Sequence, residues 1–383
     1  MEAKFFFKNK GMCVLPWTGF QLEPNGDVKN CIIAKKKLGN IGTQQIEKIM
    51  TSDDNNSIKE SMVQGPGPDS CSGCHLQELH RNDALGISSR QYYNKEILPN
   101  TDPALFDQPL GFQLKHVDLR WNNHCNQACV YCGPQYSSKW ANELKQQTPH
   151  EDTNEIEQYV MDRAKDLVNV YLAGGEPLIM NQNKKMLRHL LDVNPDVNIR
   201  INTNLSSTQT GVFDLVCKFS NVHWTVSVES TGQQYDYIRY HGDWNTFHKN
   251  LRHIKSLPHK ISFNMLYFIL NHRQIFHTVE HFRHMGFHDN SFIIGPLYQP
   301  TALNVMNLPT RVLDECLELL KDNREKSEGF LTNSYDNIIK YIEETAWTKR
   351  PEESLRHLKE IDNRRGVESS KLFPHTYEDL DVQ

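Results

Sequence analysis

The sequence predicts an α/β chain in which a parallel sheet or open barrel follows a small cysteine-bearing segment and precedes a helical region. Three observations carry this reading. Strand-like runs recur through 112–300 at the spacing of βαβ units, with helical stretches between them. Seven of the nine cysteines gather before that region or at its start. Beyond 300 the apolar residues take up a helical period.

Taken in order, 1–85 is rich in turn residues and reads as a small domain. Trp17 to Ile33 has the pattern of a hairpin, with Pro24-Asn25-Gly26-Asp27 as its turn. A loop at Gly65-Pro66-Gly67-Pro68 precedes Cys71. So few core residues are available here that bound metal is an expected source of stability. The stretch 86–111, with Pro99, Pro103 and Pro109, reads as a linker. Within 112–300 the strands are expected at 114–121, 168–173, 197–202, 222–228, 261–270 and 291–295. Helices are expected at 135–146, 180–192, 210–219, 245–256 and 272–285. Active sites in such architectures sit at the carboxyl ends of the strands. From 301 to 383 the chain reads as helical: Pro309-Thr310 opens a run with Val312, Cys316, Leu319 and Leu320 on one face, and further helices follow near 334–345 and 351–361.

Composition narrows the function. The chain has 383 residues, 38 % of them hydrophobic and 23 % charged, enough for two or three domains and a sizeable core. No apolar run approaches the ~20 residues that span a bilayer, so no membrane is expected. The N-terminus has too short an apolar core for a secretory signal, and the expected location is cytoplasmic. A net charge of −5 argues against nucleic acid as partner. In a reducing compartment, clustered cysteines read as metal ligands or catalytic groups before disulfides.

The sharpest motif is Cys125-Asn126-Gln127-Ala128-Cys129-Val130-Tyr131-Cys132, directly after the first strand of the alternating region. Three thiolates at this spacing can each hold one iron of a [4Fe–4S] cube and leave the fourth iron open. A structural zinc site wants four ligands, and His124 is the candidate fourth. After the second strand comes Gly174-Gly175-Glu176-Pro177, again at a carboxyl end. Glycines there let a ligand approach the backbone, and Glu176 offers an acceptor for an ammonium group.

On these two motifs, 112–300 resembles the radical S-adenosylmethionine (radical SAM) superfamily, which implies a partial (β/α)6 barrel. The resemblance implies that Cys125, Cys129 and Cys132 bind a [4Fe–4S] cluster whose open iron is chelated by SAM. It places Tyr131 near adenine and gives Gly174, Gly175, Glu176 and Pro177 to the motif that holds the methionine amine. Thr203-Asn204 falls where many members carry Thr-Asn-Gly, with Leu205 in the glycine's place. Asn204, Ser227 and Glu229 match polar cofactor-binding positions, and Arg239 matches an arginine that meets the SAM carboxylate, a task suited to a guanidinium fork.

Cys13, Cys31, Cys71 and Cys74 form a second set. Four thiolates close a [4Fe–4S] cluster or bind tetrahedral zinc equally well. Their surroundings resemble the auxiliary-cluster modules called SPASM or twitch, in the subgroup that carries the module N-terminal to the barrel. This implies a second, auxiliary [4Fe–4S] cluster with an electron-transfer role. His75 is a stand-in ligand that four cysteines make unnecessary. Cys217 and Cys316 lie on apolar helix faces and read as core. Among neighbours of the cluster loop, Asp118, Arg120 and Asn123 are candidates to order it, and Ser137 or Ser138 to cap the next helix.

The resemblance implies a reaction in which a flavodoxin or ferredoxin-like donor supplies one electron, SAM is cleaved to a 5′-deoxyadenosyl radical, and that radical abstracts hydrogen from a peptide or small-molecule substrate. Two alternatives stand beside it: a non-enzymatic zinc or iron–sulfur regulatory protein, and radical SAM modification of nucleic acid.

Overall fold

The computed structural model describes residues 11–65, 67–79, 88–108, 110–148 and 151–381. Parts of 1–85 and of 86–111 therefore lie outside the described residues, as does the side chain of His75. Among the described residues one sheet of nine strands organises the chain, in the order β3-β2-β1-β4-β5-β6-β7-β8-β9. Six parallel strands form its main part: β4 (His116–Leu119), β5 (Asn169–Leu172), β6 (Asn198–Thr203), β7 (Val222–Ser227), β8 (Lys260–Tyr267) and β9 (Phe292–Pro296). They fall where the sequence pattern puts them. Among the described residues β9 pairs with β8 alone, so the sheet is open, as in a partial barrel.

β6 alternates strictly and β7 nearly so, and the alternation explains the layers. On β6, Ile199, Ile201 and Thr203 are buried against the helices, whereas Asn198, Arg200 and Asn202 are half-buried on the inner face. On β7, Val222, Trp224 and Val226 point outward and His223 and Ser227 inward. The crossovers are amphipathic helices such as Asn181–Val193, which buries Met186, Leu187 and Leu190. In Trp244–Lys255, Asp243 caps the start by accepting from the Thr246 amide at 2.7 Å. Arg252 and Lys255 occupy its last turn, where cations complement the helix dipole.

The N-terminal segment forms the expected hairpin, β1 (Gly19–Leu22) with β2 (Asp27–Lys29), and β3 (Gly39–Asn40) follows antiparallel. Gly26 takes φ +81° in the turn, where a Cβ would be strained. β1 also pairs in parallel with β4, Gly19 opposite His116 and Leu22 opposite Leu119, so the hairpin extends the barrel sheet. Within 86–111, read from its prolines as a linker, the helix Ser89–Ile97 starts with a capping box between Ser88 and Gln91. Its anchors are polar. Asn94 Oδ1 accepts from the Val14 amide at 2.8 Å, and Arg90 Nη1 donates to Met12 O at 2.8 Å. Tyr93 on the same helix packs on His116, ring centroids 4.4 Å apart, beneath the start of β4.

The C-terminal region is helical, as expected. Thr310–Glu325 and Gly329–Glu344 pack together, and Ser334 Oγ of the second accepts from the Ile294 amide of β9 at 3.0 Å. Pro351–Arg365 opens on proline and ends at Gly366 with φ +64°, the asymmetry expected of helix starts and stops. No described helix is long and apolar enough to cross a membrane.

Candidate functional site

The loop after β4 carries the three clustered cysteines and is held from several directions. The Ala128 amide donates to Tyr240 O at 2.9 Å, and the Val130 amide to Ile238 O at 2.8 Å. Ser138 Oγ receives the Cys125 amide and donates to Cys125 O, each at 3.1 Å. Trp140 Nε1 donates to Cys129 O at 2.7 Å. Ser137 caps the helix Ser138–Glu143 by accepting from the Trp140 amide at 3.2 Å, as the sequence suggests. Asn123 orders the same loop by donating to Pro134 O at 2.7 Å.

This loop brings Cys125, Cys129 and Cys132 within electrostatic reach of one another. Burial pushes all three thiols up, Cys132 to about 12, and the Cys129 thiolate adds to the effect on Cys125 and Cys132. Donors oppose this: the Gln127 amide bonds to Cys125, the Gly133 amide to Cys132 and the Tyr131 hydroxyl to Cys129. Asn204 Nδ2 lies 3.9 Å from Cys125 Sγ, and Arg239 Nη1 lies 3.9 Å from Cys129 Sγ. Thiols that resist ionisation alone, with N–H groups aimed at sulfur, fit metal-bound thiolates whose potential is tuned by those hydrogen bonds. Among the described residues no three His, Cys, Asp or Glu side chains are gathered tightly enough to hold a single metal ion.

Gly174 to Pro177 packs directly on this loop. Gly174 has φ +104°, and a Cβ on Gly175 would collide with the His124 carbonyl. The Glu176 amide donates to His124 O at 2.8 Å. Glu176 itself is buried, and its carboxylate is held by protein donors. Oε1 accepts from Thr203 Oγ1 at 2.7 Å and the Leu178 amide at 3.1 Å, and Oε2 accepts from the Asn204 amide at 2.7 Å. Glu176 thus fixes the end of β6, where Asn204 Nδ2 also donates to Asn126 Oδ1 at 3.0 Å. Leu205, in the glycine's place, takes φ +52° and is fully buried. The backbone there keeps the conformation that glycine favours.

Arg239 meets a protein carboxylate. Its Nε and Nη2 donate to Glu229 Oε2 and Oε1, both at 2.8 Å, and both side chains are buried. The guanidinium lies 5.8 Å from the Tyr131 ring centroid, and that ring meets Phe268 edge-on at 5.9 Å. Ser227 Oγ donates to Asn202 Oδ1 at 3.2 Å on the inner face.

The second cysteine set also converges. Burial raises the Cys13, Cys31 and Cys71 thiols, Cys31 to about 12, and the set is close enough that Cys31, Cys71 and Cys74 all act on Cys13. Backbone amides bond to sulfur here too, Leu15 on Cys13 and both Ile33 and Ala34 on Cys31. Cys316 is fully buried, and Cys217 is half-buried on its helix.

One contributor has no signal in the motif. Arg365, at the end of Pro351–Arg365, is buried and donates through Nη2 to Ala128 O at 2.8 Å, between the first two cysteines. It also binds Glu143, and its guanidinium lies 4.7 Å and 4.4 Å from the Trp140 and Tyr240 ring centroids.

Residues 120–294 match the Radical SAM superfamily, and residues 13–75 match an iron-sulfur cluster-binding domain, SPASM. No curated protein matches the chain. Among solved structures, native anSMEcpe with bound AdoMet is similar at 13 % identity and a TM-score of 0.38, over 47 % of this chain and 50 % of that one. The chain thus spans about half the length of anSMEcpe. SuiB of Streptococcus suis is similar at 13 % identity and a TM-score of 0.42, over 86 % and 74 % of the two chains.

Proposed function

We propose that this chain, a radical SAM protein with a SPASM-type iron–sulfur domain ahead of its barrel, cleaves S-adenosylmethionine reductively and abstracts hydrogen from a peptide or small-molecule substrate. The observation that carries the reading is the convergence of Cys125, Cys129 and Cys132 at the carboxyl ends of parallel strands, against Gly174 to Pro177. When bound, a [4Fe–4S] cluster supplies the electron and the open iron at which SAM is cleaved to methionine and a 5′-deoxyadenosyl radical.

The chain's own residues then have distinct tasks. The three thiolates hold iron, and the Gln127 and Gly133 amides with Asn204 and Arg239 direct N–H groups at the sulfurs. Gly174 and Gly175 keep the backbone open to the methionine end of SAM, and Glu176 holds Asn204 in place beside it. Tyr131 gives an aromatic wall for adenine, and Ser227 a polar group on the inner face. The Glu229 charge neutralises Arg239, so the buried wall near Cys129 carries no net charge from this pair. Cys13, Cys31, Cys71 and Cys74 would hold the auxiliary cluster, which would supply an acceptor for an electron from a substrate radical, while a flavodoxin or ferredoxin-like donor would serve the Cys125 site.

The test is anaerobic reconstitution, with iron and sulfide analysis and then 5′-deoxyadenosine release after dithionite and SAM are added. About eight irons per chain and deoxyadenosine formation are expected for two clusters. Zinc in place of iron with no deoxyadenosine would overturn the reading in favour of a metal-binding protein.

A further inference from the structure

We propose that the inner face of the sheet binds a substrate through a single carboxylate, with Arg200 as the anchor. The inference deepens the function proposed above and rests on it only in taking this ligand to be the substrate.

Parallel strands buried on both faces ordinarily read as continuous apolar runs. Here the inward positions depart from that. Arg200 and Asn202 of β6, Ser227 of β7 and Asn264 of β8 are all polar and half-buried, while their outward neighbours Ile201, Val226 and Phe263 are fully buried. An inner wall of this kind is built to contact something polar.

Arg200 says what. Among the described residues the well-buried arginines are each matched by an acid, Arg90 with Glu78, Arg120 with Asp118, Arg239 with Glu229 and Arg365 with Glu143. Among the described residues Arg200 makes no ion pair: its Nε donates to Thr225 Oγ1 at 3.4 Å, and its guanidinium lies over Tyr171, 5.5 Å from the ring centroid. A half-buried guanidinium with no anion beside it has lost part of its hydration without compensation, and a ligand carboxylate would fill its fork with two parallel hydrogen bonds. The phenol of Tyr171 lies beside it on the neighbouring strand, where Tyr171 and Arg200 are register partners. Ser227 donates to Asn202 Oδ1 at 3.2 Å, which leaves the Asn202 amide nitrogen as a further donor.

Charge selects a monoanion. Asp118, within electrostatic reach of Arg200, already binds Arg120 at 3.0 Å and 3.1 Å, and the buried Glu23 that also acts on Asp118 and Arg120 is paired with Lys29 at 3.5 Å, so these two acids and three bases leave one positive charge over. One uncompensated positive charge matches a carboxylate better than a doubly charged phosphate. Position agrees. Arg200 lies four residues before Asn204, about 13 Å along the strand, and Asn204 Nδ2 is 3.9 Å from Cys125 Sγ. A ligand held at Arg200 by its carboxylate therefore extends its other end toward the cysteine loop.

The test uses the full-length protein, purified anaerobically without SAM. Two probes of matched shape are titrated by calorimetry and ligand-observed NMR: N-acetylglycine, which is anionic, and N-acetylglycinamide, which is neutral. The wild type is expected to bind the acid about tenfold more tightly than the amide, the scale of a charge-assisted pair. Arg200→Gln is expected to abolish that preference and Arg200→Lys to keep part of it, with a thermal midpoint for Arg200→Lys equal to the wild type's showing that the site and not the fold was changed. Equal binding of the two probes, no binding of either, or a preference retained in Arg200→Gln would overturn the proposal. Inorganic phosphate that displaces N-acetylglycine at lower concentration than N-acetylglycine itself requires would overturn the monocarboxylate assignment. Absence of deoxyadenosine from the reconstituted wild type is a separate result and would leave the probe preference intact, so the two readings fail on different measurements.

Discussion

Arg239 and Glu229 face each other in a buried fork, with both N–H···O contacts at 2.8 Å, while the remaining guanidinium nitrogen turns to Cys129 Sγ at 3.9 Å. The carboxylate decides where the guanidinium points. Glu229→Gln keeps the shape and removes the charge, leaving an uncompensated buried cation. The expected loss of stability is about 3–5 kcal/mol, measured by urea unfolding. Replacing both partners with apolar residues of similar volume should recover part of it. A loss under about 1 kcal/mol in the single variant would mean that the pair does not hold Arg239.

Leu205 sets backbone strain against burial. A leucine at φ +52° gives up about 1–2 kcal/mol relative to its ordinary conformation. Its buried side chain contributes more, since emptying such a site costs about 2.7–5 kcal/mol. Leu205→Gly should therefore destabilise, by about 2 kcal/mol net. Leu205→Ala loses the packing and keeps the strain, so thermal unfolding should rank it below Leu205→Gly. The reverse order would show that the backbone is relaxed there.

Local pattern carried most of the barrel, and non-local pairing did not. The six parallel strands alternate visibly because their outward residues, such as Ile199, Ile201 and Val226, must cover helices. The cysteine loop and the glycines of Gly174-Gly175 are legible because thiolate spacing and close backbone contact restrict residue type. The parallel pairing of β1 with β4 joins residues about a hundred apart and leaves no trace in either strand. The helix Ser89–Ile97 is hidden because Arg90 and Asn94, polar residues, are its anchors. Arg365 reaches the cysteine loop from the far end of the chain, and the fork of Arg239, which the family resemblance gives to the SAM carboxylate, is filled by Glu229.

Arg365 ties the C-terminal helices to the cysteine loop. Arg365→Met keeps much of the stem's packing on Trp140 and Tyr240 but removes the bond to Ala128 O and one partner of Glu143. The expected outcome is a loss of about 1–3 kcal/mol and poorer iron retention by the Cys125 loop, with the auxiliary set unchanged. Iron analysis of Arg365→Met combined with Cys74→Ala, which leaves the Cys125 loop as the remaining site, isolates the effect. Iron content equal to that of Cys74→Ala alone would show that the loop holds its shape without Arg365.

The cysteine roles separate by substitution. Cys125→Ala, Cys129→Ala or Cys132→Ala should abolish deoxyadenosine formation, and Cys217→Ala, at the end of the helix Gly211–Val216, should leave it intact. Cys74→Ala should cost about half the iron and preserve SAM cleavage. Deoxyadenosine at the normal rate from Cys132→Ala would remove that thiolate from the site.

His116 gives the fold a defined acid sensitivity. Burial pushes its imidazole down to about 3, and the Arg200 charge acts in the same direction. In the unfolded chain it titrates near its ordinary 6.5. Between those values the unfolded chain binds a proton that the native state refuses. Stability is therefore lost as pH falls through that window, by up to about 1.4 kcal/mol per unit for one group. His116→Phe removes the titrating ring and keeps an aromatic surface against Tyr93, whose ring centroid is 4.4 Å from that of His116. Urea unfolding at pH 6, 5 and 4 should show a shallower decline for the variant than for the wild type. Part of the slope should persist, because burial also lowers His223, to about 4. Parallel declines for the two proteins would mean that His116 is protonated in the native state across this range, which would require water or an anion at the base of β4.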